Sequence, residues 1–145
     1  IEIVDVTNKA NPVQIASLPY SSSGYTHQNW LTDDRKYLLL GDEADEFDFG
    51  FNTRTVVFDV SDLDNIQVHM EYFSETSSVD HNGYVIGDRY YLSNYSSGLR
   101  VVDISNIENQ EMTADIYFDT YPQNNNANYS LLFKLNTKVS FAYFS

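Results

Sequence analysis

The sequence predicts an all-β chain of repeated antiparallel sheets, and three observations support this. The first is an internal repeat: Tyr25-Thr26-His27-Gln28-Asn29-Trp30-Leu31-Thr32-Asp33-Asp34-Arg35-Lys36-Tyr37-Leu38 returns as Val79-Asp80-His81-Asn82-Gly83-Tyr84-Val85-Ile86-Gly87-Asp88-Arg89-Tyr90-Tyr91-Leu92. An offset of 54 residues pairs His27 with His81, Trp30 with Tyr84, Asp34 with Asp88, Arg35 with Arg89 and Tyr37 with Tyr91, and needs no gap. The second is Ile3-Val4-Asp5-Val6-Thr7, which recurs at the same offset as Val57-Phe58-Asp59-Val60-Ser61 and, 44 residues later, as Val101-Val102-Asp103-Ile104-Ser105. The third is a surplus of strand-forming residues, 12 Tyr and 9 Phe among them, with hardly any helical periodicity. A unit of roughly 40 to 55 residues holding about four short strands is what a β-propeller blade looks like. The expected architecture is therefore an incomplete propeller-type stack of about two and a half blades over residues 1–121. An immunoglobulin-like sandwich would also give short strands, but it would not repeat its sequence at a fixed offset.

In chain order, Ile1 to Val6 reads as a strand, and Asn11-Pro12 marks the turn before a second strand, Val13 to Leu18. Pro19 and Ser21-Ser22-Ser23-Gly24 loosen the chain before Tyr25 to Leu31, which carries His27 and Trp30. After the polar turn Thr32 to Arg35, the nearly all-apolar Tyr37 to Leu40 suits a strand covered on both faces. Gly41 to Asn52 holds five carboxylates and three phenylalanines in twelve positions and is expected to be an exposed rim loop, its phenylalanines folding back on the blade. Thr55 to Val60, Val68 to Phe73, Val79 to Ile86, Arg89 to Asn94 and Leu99 to Ile104 continue the strand series. Asp5, Asp59 and Asp103 each end an apolar strand just before Thr or Ser, where an aspartate bonds nearby backbone N–H groups and sets a turn.

Composition narrows the function classes. A chain 42% hydrophobic and 15% aromatic is too rich in large apolar side chains to be disordered. The formal net charge of −13 repels nucleic-acid phosphates and anionic membranes, and it attracts divalent cations or a basic partner. The lack of cysteine excludes disulfides, thiolate catalysis and cysteine-based zinc sites. No apolar run approaches the roughly 18 residues of a membrane span. The chain opens without Met in a strand pattern, so the gene product is expected to begin earlier, and a missing signal peptide carries no information.

Candidate chemistry centres on His27 and His81, which occupy equivalent places beside Gln28 and Asn82. They are joined as candidate binding residues by Trp30 and Asp80. Histidine with carboxylates can ligate Zn²⁺ or Mn²⁺, and the dense carboxylates of Asp42, Glu43, Asp45, Glu46 and Asp48 suit Ca²⁺. Neither an EF-hand run nor His-x₃-His spacing is present. A histidine repeated once per blade and followed by an aromatic three residues on also fits a rim or core histidine bonded to the next blade, the reading the pattern favours. No G-x-S-x-G elbow places a nucleophile, and a pair of carboxylates drawn from 21 acidic residues arises by chance. Trp30, Tyr84, Tyr90, Tyr91 and Tyr95 could stack on a sugar or peptide, or pack blade on blade.

Several ordered elements together resemble the choice-of-anchor B family of LVIVD-repeat proteins: His27-Gln28-x-Trp30-Leu31-Thr32-x-Asp34, Gly41-Asp42-Glu43-x-Asp45-Glu46, Asn52-Thr53-Arg54-Thr55, Phe58-Asp59-Val60-Ser61-Asp62-Leu63-Asp64, Asp80-His81-Asn82, Asn94-Tyr95-x-x-Gly98-Leu99-Arg100-Val101 and Phe118-Asp119-Thr120-Tyr121-Pro122. The resemblance covers roughly residues 1 to 128 and implies a secreted or cell-surface propeller. It implies an interaction module with a protein or glycan partner, packed against further blades of its parent, and it carries over no catalytic residue. A metal-dependent hydrolytic site on the rim is the alternative. Residues 122–145 are expected to form an irregular tail, and the departure from the family pattern after Asn128 implies a changed reading frame or a truncated product. A stack this short lacks the continuous core of a longer array and is expected to associate or to unfold with little cooperativity.

Overall fold

Pairing between neighbours in the chain accounts for the topology. The computed structural model describes residues 1–120 and 122–123, so nearly all of the expected irregular tail lies outside the described residues. Strands β1 (Glu2–Asp5) and β2 (Val13–Ser17) form a hairpin. Strands β3 (Thr26–Leu31), β4 (Tyr37–Asp42), β5 (Arg54–Asp59) and β6 (Gln67–Phe73) form one four-stranded meander. Strands β7 (Asn82–Ile86), β8 (Arg89–Asn94), β9 (Gly98–Asp103) and β10 (Thr113–Phe118) form a second. Among the described residues every pairing is antiparallel, and none of the three sheets closes on itself. The chain is all-β, as its composition predicts.

Sheet boundaries fall inside the sequence units. The first sheet takes β3 and β4 from one unit and β5 and β6 from the next, so consecutive units share a sheet. The turns behave as the side chains dictate. Asp5, Asp59 and Asp103 accept the backbone N–H groups of Thr7 at 2.8 Å, Ser61 at 3.0 Å and Ser105 at 2.8 Å. The hydroxyls of Thr7 and Ser61, and then these N–H groups, hold Asp5 and Asp59 below their ordinary value, and the Ser105 N–H and then its hydroxyl do the same for Asp103. At the β3–β4 turn the Thr32 hydroxyl donates to Asp34 at 2.6 Å, and the Lys36 N–H donates to the same carboxylate at 3.1 Å.

Two cores result from strand alternation. Leu40, Val56, Phe58 and Val60 on one face of the first sheet meet Ile1, Ile3, Leu18 and Tyr20 around the hairpin. Tyr37, Leu39 and Val57 on the other face meet Val85, Tyr90, Leu92, Val102 and Ile104 of the second sheet and its flank. Strands β4 and β5 are thus covered on both sides, which is why they read as unbroken apolar runs. The first strands of the two sheets, β3 and β7, lie beside each other.

The acidic segment differs from expectation. It is no solvated loop: Asp42, Asp45 and Glu46 are buried, and Asp45–Phe49 form a short helix, α1, closed by Gly50 in the left-handed region at φ 73°. Arg54 accounts for two of these carboxylates: its buried guanidinium lies 2.6 Å from Asp45 and 4.0 Å from Asp42. Of the phenylalanines, Phe51 folds back onto Phe73, ring centres 5.7 Å apart, while Phe47 and Phe49 stay exposed.

Candidate functional site

The two repeated histidines meet where β3 and β7 begin. His27 is the second residue of β3, and His81 stands immediately before β7. The Nδ1 atom of His27 lies 2.7 Å from the backbone oxygen of His81, and the two rings stack with centres 4.6 Å apart. The ring therefore bonds the neighbouring sheet, as a once-per-repeat histidine is expected to do. His81 leans in turn on Tyr95 at 5.1 Å, and its Nδ1 is 2.9 Å from the Asn82 side-chain amide.

Glu43 completes the group. It follows β4 directly, and its N–H bonds the Tyr25 carbonyl oxygen at 2.9 Å, which fixes it at the mouth of the seam. The Tyr95 hydroxyl donates to Glu43 Oε1, and Oε2 faces His27 Nε2 at 3.7 Å. One ligand atom each from His27, Glu43 and His81 lie within 4.8 Å of one another. The His27 and Glu43 side chains keep 25% and 19% of their surface exposed, enough for an ion or small group to reach them.

Behind this mouth lies a buried acidic interior. Asp80 is 1% exposed, and among the described residues neither carboxyl oxygen has a side-chain hydrogen-bond partner. It packs against Gly41, where a Cβ would stand 2.0 Å from Asp80 Oδ2, so the position admits no side chain. Burial holds the Asp80 carboxyl well above the usual range, and the charges of Asp45, Glu43 and Asp42 add to this. Glu46 is pushed up to about 9 by burial and by the neighbouring Asp80 and Asp45 charges. Asp45 rises to about 6 because its desolvation outweighs the pull of Arg54. Burial raises the Tyr95 hydroxyl as well, and Glu43 adds to the effect.

Arg54 anchors the interior. Its guanidinium donates to Asp45 at 2.6 Å, to Glu71 at 3.0 Å, and to the carbonyl oxygens of Ser21 and Ser22 at 3.2 and 2.8 Å. Asp42, 4.0 Å from the same guanidinium, also accepts the N–H groups of Gly24 at 2.9 Å and Tyr25 at 2.5 Å and the Tyr20 hydroxyl at 2.7 Å, which ties residues 20–25 to the first sheet.

The structure thus brings His27, His81 and Glu43 together and sets Asp80 behind them. Trp30 stands apart, edge-on to Tyr84 at 6.5 Å against the inter-sheet core. Asp42 and Asp45 hold structural partners, Glu46 faces the interior, and Asp48 is exposed. Among the described residues these four carboxylates do not join the histidine cluster. Sequence reasoning passed over Arg54 as a site-forming residue and offered Tyr95 only as a stacking aromatic, not as the donor to Glu43. A charged residue opening an apolar central strand just after five carboxylates was the available signal for Arg54. At the opposite end of the seam, Asp33 accepts the Gly87 N–H at 3.0 Å beside a cleft of about 250 Å³. No helix among the described residues is long and apolar enough to cross a membrane. No family model, curated protein or solved structure matches the chain.

Proposed function

We propose that the chain is part of a propeller-type binding module, secreted or displayed at the cell surface as its resemblance to choice-of-anchor B proteins implies. Its ligand site is the seam mouth of His27, Glu43, His81 and Tyr95. The observation that carries this reading is the convergence of equivalent histidines from two repeats on one partly exposed point. The meander order of both sheets supports it, as does the adjacency of their first strands. The outer strands leave a cleft of about 230 Å³ lined by Tyr72, Arg100, Val101 and Ile116, and such splay suits blades radiating from an axis. The acidic interior and the net charge of −13 favour basic peptides or neutral glycans over anionic ligands.

Glycan and peptide arrays probed with the purified chain test the proposal. Selective binding that is lost in Glu43→Gln and His81→Ala supports it, whereas no binding, or binding indifferent to both changes, overturns it. Protease treatment of intact cells tests the surface location. The three-residue cluster also favours a second reading, metal-dependent hydrolysis at the same mouth. Turnover of ester, peptide or glycoside probes that disappears in His27→Ala would establish that reading.

A further inference from the structure

We propose that His27, Glu43 and His81 bind one divalent transition-metal ion of the Zn²⁺ class at the seam mouth, leaving a coordination position open to water or to an oxygen donor of the partner. The inference rests on the mouth being the binding face and adds the chemistry by which it binds.

Geometry comes first. A tetrahedral zinc ion about 2.0–2.2 Å from nitrogen and oxygen ligands holds those ligands roughly 3.3–3.6 Å apart. His27 Nε2 and Glu43 Oε2 stand at 3.7 Å, and all three ligand atoms fall within 4.8 Å of one another, so a small contraction closes the set. The His27 and His81 rings lie nearly parallel, 23° between their planes. Turning the His81 ring about its Cβ–Cγ bond, a broad torsion, would exchange the contact of its Nδ1 with the Asn82 amide for the ion.

The surrounding groups match what metal-binding side chains require. When His27 Nδ1–H donates to the His81 carbonyl oxygen, the Nε2 lone pair points toward Glu43, the arrangement by which a backbone carbonyl orients a ligating histidine. Tyr95 occupies one Glu43 oxygen and leaves the other toward His27. Two nitrogens and one carboxylate select a borderline transition ion, whereas Ca²⁺ takes six to eight oxygens. Three protein ligands are the number found in zinc sites that keep a position open.

The experiment uses Co²⁺ and Zn²⁺ on the full chain. Co²⁺ should give visible d–d absorption at one equivalent, and Zn²⁺ should displace it. His27→Ala, His81→Ala and Glu43→Gln should each weaken Zn²⁺ at least about tenfold, and Tyr95→Phe roughly 10- to 100-fold as an outer partner. His69→Ala is the control, because that ring bonds the Ile107 carbonyl oxygen at 2.7 Å away from the mouth, and it should leave affinity unchanged. Circular dichroism of each variant separates lost ligation from lost folding, and Tyr95→Phe, which keeps all three ligands, provides a second readout. No d–d band with the folded chain, or Zn²⁺ affinity unmoved in a folded His27→Ala/His81→Ala chain, overturns the inference. Metal binding without any array ligand would instead count against the module reading alone, and array binding without metal against the metal site alone.

Discussion

Arg54 opens a central strand yet is 1% exposed, and every direction its guanidinium faces holds an acceptor or an aromatic ring. Removing one partner of a buried ion pair leaves the other uncompensated, which costs about 3–5 kcal/mol. Arg54→Ala should lose about that much stability in urea titration, and a loss below about 1 kcal/mol would show that Asp45 finds water instead. Glu46 makes a pH prediction. Its carboxyl titrates near 4.5 ordinarily and near 9 in the fold, so the native state holds the proton more tightly. That contribution is fully present below the ordinary value and is lost as pH rises toward 9. Asp5, Asp59 and Asp103, held low, act oppositely and lose their contribution on acidification. The unfolding free energy, and with it the melting temperature, should therefore fall between about pH 5 and 8, this one group contributing a free-energy slope of at most about 1.4 kcal/mol per pH unit. Glu46→Gln should flatten that fall, and an unchanged profile would contradict the assignment.

Strands and helix differ in how much of them the residues announce. Strands β4 and β5 are legible because each face alternates onto its own core, Leu39 and Val57 toward the second sheet and Leu40, Val56 and Phe58 toward the hairpin. Leu39→Ala should cost about 2–5 kcal/mol, since the side chain is fully buried where the two sheets meet, and chemical denaturation measures it. Helix α1 was not legible. Five residues give no periodicity, Ala44 offers no side-chain cap, and dense carboxylates ordinarily mean water. Its place depends on Arg54 nine residues away, a long-range contact that no local pattern records. The same holds for Glu43 in the cluster, which reads as one acid among five until β3 and β7 are set side by side.

Across the whole molecule, the second sheet leaves Ile116, Tyr117 and Phe118 of β10 63%, 65% and 69% exposed, and the hairpin leaves Val4, Val13 and Ile15 exposed. Apolar strand surface of this kind favours association, while the net charge of −13 opposes it. The chain should self-associate in sedimentation velocity at raised salt, where screening weakens the repulsion. The double change Ile116→Ser/Phe118→Ser should return it toward monomer, and a wild-type monomer at all salt concentrations would refute this.

By itself the sequence determined the strand class, the repeat and its offset, the three aspartate turns and the equivalence of His27 and His81 within the repeat. All of these follow from side-chain period and from chemistry within a few residues. Tertiary structure alone decided that each four-stranded sheet is shared between consecutive units, that the acidic segment turns inward, that Trp30 packs in the seam and that Glu43 joins the histidines. Each of these depends on contacts between residues far apart in the chain, where burial and charge pairing outweigh local preference.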